Sequence, residues 1–321
     1  MTDIILSARG LGKTFALGPA LGLFGARRTI QSVSDVDLDL KRGEVLGLIG
    51  ESGSGKSTLG RLMLGLLPAT QGQVVFDGID LAKADAQALR ALRQRMQLIF
   101  QDPYSSLDPR RTVGEQIADG LVIHGMETPA TSGPRVRALL EQVGLTAAHA
   151  GRYPNAFSGG QRQRIGIARA LATAPDFLVA DEPVSALDVS VQAQVLELLG
   201  GLRNRLGLSM VFISHDLSAV RHLCDRIVVL YLGRIMEQGP TAEVFAQPRH
   251  PYTRALLSAI PTLGGRKRQR EILIGDPPSP ANPPSGCVFR TRCTHATDAC
   301  AGAIPPMVAI SSAHSAACLL T

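Results

Sequence analysis

The stretch Gly50-Glu51-Ser52-Gly53-Ser54-Gly55-Lys56-Ser57-Thr58 decides how this chain is read. It follows an apolar run, Val45-Leu46-Gly47-Leu48-Ile49, with the composition of a buried strand. It precedes Leu59 to Leu67, which reads as a helix stopped by Pro68. Strand, glycine-rich loop and helix together are the context a phosphate-binding loop needs. Gly50, Gly53 and Gly55 permit the positive φ of a tight curl. The loop amides then converge on an anion, and the helix N-terminus behind them adds partial positive charge. Lys56 can reach β- and γ-phosphates, and the Ser57 hydroxyl can ligate Mg²⁺. A glycine-rich turn with a chance lysine is the bland alternative, and the full G-x-x-x-x-G-K-S string in this setting argues against it. The string alone defines a P-loop nucleotide hydrolase, a class with many functions.

Composition narrows the class. The 321 residues are enough for one large domain and a smaller one, and 45% hydrophobic content allows a sizeable core. Aromatics make up 4% and Trp is absent, which argues against stacking platforms for single-stranded nucleic acid. A net charge of +6 suits nucleic acid or an anionic membrane surface. The basic residues are scattered, however, and the one dense run is Arg266-Lys267-Arg268-Gln269-Arg270. No apolar run approaches the roughly 18–20 residues that span a bilayer. The N-terminus, with Asp3, lacks the basic and apolar regions of a signal peptide, so a cytosolic or peripheral chain is expected.

Taken in order, residues 1–49 read as antiparallel β, with Val36-Asp37-Leu38-Asp39-Leu40 alternating as a half-buried strand does. A loop is expected between Lys13 and Ile30. Phe15 at its start can stack on adenine or serve as an ordinary core or loop residue, with Phe24 as competitor. Gly72 to Leu81 reads as a hairpin turning at Asp77-Gly78. A charged helix follows from about Asp85 to Arg95, then a short strand, Met96 to Phe100. Gln101 at that strand's end can ligate Mg²⁺ or position water; a surface glutamine is the alternative. Residues 104–157 read as a helical insertion, broken near Ser132 to Pro134. Ser158 and Gln161 form an S-x-x-Q capping box opening a helix from about Gly159 to Ala172. Ser158 can therefore be only a cap. Yet Gly159 and Gly160 are poor helix formers that leave bare amides at a positive helix end, a second anion site.

Phe177 to Asp181-Glu182 is an apolar strand ending in two carboxylates. Beside a phosphate-binding loop, Asp181 can hold the Mg²⁺ shell and Glu182 can accept a proton from the attacking water; an ordinary solvated loop start is the alternative. Ser185-Ala186-Leu187-Asp188 is a turn before a helix, Val191 to Leu206. Met210 to Ser214 is another buried strand, followed by His215. Gly50, Gln101, Asp181 and His215 all follow strands, at the edge where open α/β sheets gather ligands. Ile227–Leu232 and Arg234–Glu237 read as a closing hairpin around Gly233. Beyond Pro240 come His250-Pro251-Tyr252-Thr253-Arg254, a proline-rich stretch from Asp276 to Gly286, and Cys287, Cys293, Cys300 and Cys318. Four cysteines in a loop-rich segment with little core suggest a metal staple. Their spacing fits no zinc-finger template, and disulfides are the alternative in an oxidising compartment. Cys224 reads as a small buried hydrophobe.

The set now resembles the ATP-binding subunits of ABC transporters. The matching pieces are the P-loop from Gly50 to Thr58, the Q-loop Gln101, the signature Phe157-Ser158-Gly159-Gly160-Gln161, and the acidic pair Asp181-Glu182. The D-loop Ser185 to Asp188 and the switch His215 complete it, in the family's order over residues 1–240. The resemblance implies an α/β P-loop NTPase of ABC type with an N-terminal antiparallel β subdomain and a helical subdomain at about 104–172. Residues 241–321 resemble the Cys-rich C-terminal extension of oligopeptide/dipeptide importers. His250 to Arg254, Pro283-Pro284-Ser285-Gly286-Cys287 and the spaced cysteines carry that likeness, and Cys287-Val288-Phe289-Arg290-Thr291-Arg292-Cys293 is closest to an F-type subunit.

The resemblance further implies ATP and Mg²⁺, and a [4Fe–4S] cluster, or Zn²⁺, on the four cysteines. It implies a second, D-type ATPase, two transmembrane permeases and a periplasmic or lipid-anchored solute-binding protein, at the cytoplasmic face of a bacterial inner membrane. In such pairs Ser158, Gly159 and Gly160 of one subunit close on ATP held by the other, His215 senses the γ-phosphate, and Asp188 links the two sites. Nickel and glutathione are also cargo in this branch. A soluble ABC ATPase acting on nucleic acid or ribosomes is the alternative. The chain lacks the long coiled coil of repair-type members and the second cassette of translation-type members.

Overall fold

The computed structural model describes residues 3–17, 28–259, 273 and 275–320. Phe24 and the basic run 266–270 lie outside the described residues. The strands are β1 (Ile4–Leu17), β2 (Arg28–Lys41), β3 (Val45–Ile49), β4 (Gln71–Phe76), β5 (Ile79–Asp80), β6 (Met96–Ile99), β7 (Phe177–Asp181), β8 (Ser209–Ile213), β9 (Arg226–Tyr231), β10 (Arg234–Pro240), β11 (Val308–Ala309) and β12 (Ser315–Ala316). The helices are α1 (Lys56–Met63), α2 (Ala86–Arg95), α3 (Val113–Ile123), α4 (Gly133–Gln142), α5 (Gly159–Leu171), α6 (Val189–Leu206), α7 (Leu217–Leu223), α8 (Thr241–Ala246), α9 (Pro251–Ser258) and α10 (Ala299–Gly302). The chain forms two compact units. One holds Met1–Leu6, Leu40–Val45 and Phe76–Ser214; the other holds Ser7–Asp39, Leu46–Val75 and His215–Thr321. No helix among the described residues is long and apolar enough to cross a membrane.

In the first unit β6, β7 and β8 are parallel neighbours, with Met96 opposite Phe177 and Phe177 opposite Ser209. Every residue of β7 and β8 is buried, the pattern of strands covered on both faces. Their carboxyl ends run into Gln101, Glu182 and Ser214. Asp85 caps α2, accepting the Ala88 amide at 2.8 Å. The turn at Asp77 and Gly78 takes φ of 48° and 81°, the left-handed pair a two-residue hairpin requires. The expected break near Ser132 to Pro134 starts α4, whose first turn accommodates Pro134 because its missing N–H has no partner there.

In the second unit β3 and β9 are parallel, with Leu46 to Ile49 opposite Arg226 to Val229. β10 returns antiparallel to β9, and β12 and β11 extend that sheet. The loop expected between Lys13 and Ile30 is shorter than its glycine and alanine content suggests, because β1 runs to Leu17 and β2 starts at Arg28. α1 ends at Met63, not Leu67. Gly65 at φ 61° reverses the chain, with its amide on Leu62 O at 3.0 Å and the Leu66 amide on Arg61 O at 2.9 Å. This 6→1 and 5→2 closure ends the helix three residues before Pro68 can.

The extension is held by a buried carboxylate. Glu237 on β10 is fully buried and accepts the amides of Arg249 and His250 at 2.8 and 2.9 Å. The His314 imidazole Nε2 lies 2.7 Å from the same carboxylate. His250, 1% exposed, caps α9 by accepting the Tyr252 amide on Nδ1 at 3.0 Å. Burial, and then the charge of Arg254, push its pKa from 6.5 down to about 4. The folded chain thus refuses a proton that the unfolded chain takes up. This contribution is whole above about pH 6.5 and is lost as pH falls toward 4. Stability should drop by about 3 kcal/mol over that window. Denaturant unfolding of wild type and His250→Asn, which keeps a capping carbonyl, checks this; the asparagine variant should lose that part of the pH slope.

Candidate functional site

The sequence-predicted site residues fall into two sets, one in each unit. In the second unit β3 delivers the chain into Gly50 at φ 149°, where an added Cβ would stand 2.2 Å from Leu230 O. Gly55, at φ 101°, occupies the N-cap of α1, and a Cβ there would meet Ser32 O at 2.2 Å. Only glycine fits either place. Lys56, 6% exposed, turns back into the loop. Its ammonium donates to Gly50 O and Glu51 O, both at 2.8 Å. The Ser32 hydroxyl donates to Thr58 Oγ1 at 2.9 Å. Ser57 lies in the first turn of α1. His215 follows β8 and is exposed. Asp216 beside it caps α7, accepting the Ser218 amide at 2.8 Å. Phe15 lies on β1 rather than at a loop start, because that strand continues to Leu17. It is 37% exposed, with the Lys13 ammonium 5.2 Å from its ring centre.

Glu51 has partners that sequence reasoning missed. Its amide donates to the Tyr252 hydroxyl at 2.8 Å, and its carboxylate takes both arms of Arg292 at 2.6 and 3.1 Å. Burial pushes the Tyr252 phenol above its ordinary range. The bond to Glu51 pushes the Arg292 guanidinium up. The signal was available in Pro251 to Arg254 and in Arg292 beside Cys293, which the sequence presented only as branch markers.

In the first unit Gln101 and Glu182 come together, the amide of Gln101 donating to the Glu182 carboxylate at 3.1 Å. Glu182 takes φ 46°, unusual for a residue with a long side chain, and its amide bonds Ile213 O at 2.9 Å. Asp181 is 4% exposed at the end of β7. The capping box at Ser158 forms, with the Gln161 amide on Ser158 Oγ at 3.4 Å and the Ser158 amide on Gln161 Oε1 at 3.1 Å. Gly159 lies under the Tyr104 hydroxyl, where a Cβ would stand at 3.3 Å, and a Cβ on Gly160 would strike Val191 at 2.3 Å. Those two glycines bring α5 close to its neighbours, which explains poor helix formers in a first turn. Asp188 is the exposed N-cap residue of α6, so that helix begins at Val189, earlier than expected.

The four C-terminal cysteines are thiols, Cys300 and Cys318 buried and Cys287 and Cys293 half-buried. Burial first, and then the nearness of Cys300, Cys293 and Cys318, push the Cys287 thiol up. The Cys287 amide bonds Cys300 O at 2.8 Å. The expected [4Fe–4S] or zinc site is nevertheless not formed as a ligand set: among the described residues no group of three or more His, Cys, Asp or Glu is arranged to hold a metal ion. Cys224 is buried, as read.

The sequence profile of the ABC transporter family matches residues 33–185, and that of the oligopeptide/dipeptide transporter C-terminal region matches 236–300. A Brucella abortus protein described as a peptide import ATP-binding protein is 55% identical, over 98% of this chain and 97% of its own length. The oligopeptide transport ATP-binding protein OppF of Haemophilus influenzae is 47% identical over 99% of this chain and 97% of its own. Among solved structures, a dimeric ATP-binding cassette in a post-hydrolysis state with ADP and Pi superposes with a TM-score of 0.65 at 30% identity. That match covers 74% of this chain and 98% of the other. The chain therefore belongs to the ABC transporter ATP-binding proteins, with the C-terminal region of the oligopeptide/dipeptide branch. It is an ATPase of the P-loop ABC fold.

The loop geometry separates its glycines. Gly53 has φ 77° but open space around it, whereas Gly50 has backbone in the way. Gly53→Ala should lower stability by about 1–2 kcal/mol, the cost of left-handed backbone, and keep nucleotide binding. Gly50→Ala should abolish binding. Thermal unfolding and titration with a fluorescent ATP analogue distinguish the two.

Proposed function

We propose that this chain is the ATP-hydrolysing subunit of an importer for oligopeptides, dipeptides or related small solutes. The observation that carries the reading is that one chain holds both a glycine-cornered loop closed by Lys56, in one unit, and a strand-end Asp181-Glu182 whose second carboxylate is held by Gln101, in the other. Residues 1–240 are the nucleotide-binding domain and 241–321 the importer-type extension. The likeness to peptide and oligopeptide transport proteins over nearly the whole chain supports the cargo class. A D-type ATPase, two permeases and a solute-binding protein are its expected partners, at the cytoplasmic face of the inner membrane.

In this reading the amides of residues 50–58 and Lys56 bind the phosphates, Lys56 exchanging carbonyl partners for phosphate oxygens. Ser57, Gln101 and Asp181 are the residues that would hold Mg²⁺. A hydroxyl, an amide oxygen and one carboxylate form a hard-oxygen set, suited to an ion that keeps several waters and binds substrate phosphates. Mg²⁺ supplies neutralisation of charge on the transferred phosphoryl. Glu182 receives the proton of the attacking water while Gln101 fixes its carboxylate. His215 contacts the γ-phosphate. Ser158, Gly159, Gly160 and Gln161 serve the partner's nucleotide, and Asp188 and Phe15 act in dimer contact and adenine stacking. Little covalent chemistry falls to the protein, so positioning and electrostatics dominate.

The four clustered thiols support a cluster-binding role for Cys287, Cys293, Cys300 and Cys318. No step above runs through it, since the thiols form no ready ligand set. Anaerobic purification followed by iron, sulfide and zinc analysis tests it, and absence of all three would end it.

Glu182→Gln should bind ATP, dimerise, and turn over about 10²–10⁴-fold more slowly in the assembled transporter. Wild-type turnover in that variant would falsify the base assignment. Affinity capture from mild-detergent membranes should recover two polytopic proteins and a second ABC ATPase; ribosomes or nucleic acid instead would overturn the importer reading.

A further inference from the structure

We propose that Arg292 and Tyr252 are positioning residues for the phosphate-binding loop, and that through them the four-cysteine tail sets nucleotide affinity. The proposal rests on residues 50–58 being the nucleotide loop. Glu51 immediately follows Gly50 in that loop, and both its polar ends are taken by the extension. Tyr252, fully buried, receives the Glu51 amide at 2.8 Å. Arg292, its side chain 5% exposed, donates to the carboxylate at 2.6 and 3.1 Å.

The electrostatic need is plain. A carboxylate on a loop that gathers an anion repels its ligand, and more strongly where water is scarce. The guanidinium fork neutralises Glu51 and fixes its direction, which a point charge does less well. Without Arg292 the loop would keep its glycines and lysine and gain an unpaired negative charge beside them.

The tail holds Arg292 in turn. The Arg292 amide bonds Phe289 O at 3.0 Å, so the residue sits in a turn whose next member is Cys293. Phe289, 2% exposed, packs on Tyr231 and Tyr252, with ring centres 5.3 Å from each. Those two tyrosines are 4.7 Å apart, and Tyr231 ends β9 next to Leu230, the residue whose carbonyl abuts Gly50. Arg292 also donates to the Tyr231 hydroxyl at 3.4 Å. A change in how Cys287 and Cys293 are held therefore reaches Glu51 through one side chain and one aromatic cluster, both buried. Coupling between two sites is reciprocal, so nucleotide must also steady residues 287–293.

The test uses the full chain and a fluorescent ATP analogue with Mg²⁺. Arg292→Gln should weaken binding about tenfold, within the range of coupled sites. Arg292→Lys should recover part of the loss, and Glu51→Gln combined with Arg292→Gln most of it, because the repelling carboxylate is gone. A purely structural arginine would give no such rescue. Amide hydrogen exchange across 287–293 should slow when ATP binds to wild type and not to Arg292→Gln. Wild-type affinity in both Arg292 variants, a double variant as weak as Arg292→Gln, or exchange in wild type indifferent to ATP would each overturn the proposal. Should Arg292→Gln not fold, the lysine variant and the wild-type exchange decide. Failure of folded wild type to bind the analogue, with Lys56→Ala as control, would refute the nucleotide reading instead.

Discussion

The site depends on one close approach, the backbone of Gly50 against the carbonyl of Leu230, where a side chain of any size would collide at 2.2 Å. The strand behind it cannot slide to make room. Val45, Leu46, Leu48 and Ile49 are fully buried, and each such aliphatic group is worth about 1.5–3 kcal/mol. Together they rival the roughly 5–15 kcal/mol by which a whole domain is stable. The loop therefore starts from a point fixed by the core. Gly55 against Ser32 fixes its other end, and Lys56 bridges the interior through two carbonyls. A peptide path pinned at both ends presents its amides without first having to find them, which is what pre-organisation of an anion site means.

Local elements were the legible part. The alternation from Val36 to Leu40, the buried runs of β3, β7 and β8, the Asp77-Gly78 turn and the Ser158–Gln161 box all formed, because each depends on neighbours within a few residues. Errors fell where a local competitor acted. Gly65 ended α1 before Pro68 could, and α6 began at Val189, where the Asp188 carbonyl accepts the Val191 and Gln192 amides. The grouping of Gln101 with Glu182 spans 81 positions and became visible only through strand-end reasoning. The contacts of Tyr252 and Arg292 with Glu51 span 201 and 241 positions. No periodicity or capping rule reaches so far, and only folding reveals them.

The motif around His250 illustrates how one short string performs several tasks. His250 caps a helix with one ring nitrogen, while its amide joins the Arg249 amide and the His314 imidazole on the Glu237 carboxylate. Pro251 fits the first turn, where no amide partner is needed. Tyr252 then points its hydroxyl at the loop. What the sequence offers as a family marker is, physically, a buried polar network in which His250 and Tyr252 are paired while the Thr253 hydroxyl is buried without a hydrogen-bond partner, and such networks fix one arrangement rather than add much net stability.

Glu182 carries a cost of another kind. Its backbone lies at φ 46°, where a long side chain is strained by about 1–3 kcal/mol and only glycine is at ease. Selection for robustness alone would favour glycine there, which would remove the carboxylate. With Glu182 in the proposed role of base, thermostability and turnover are opposed at this residue, and a search of variants ranked by melting temperature would discard the carboxylate first.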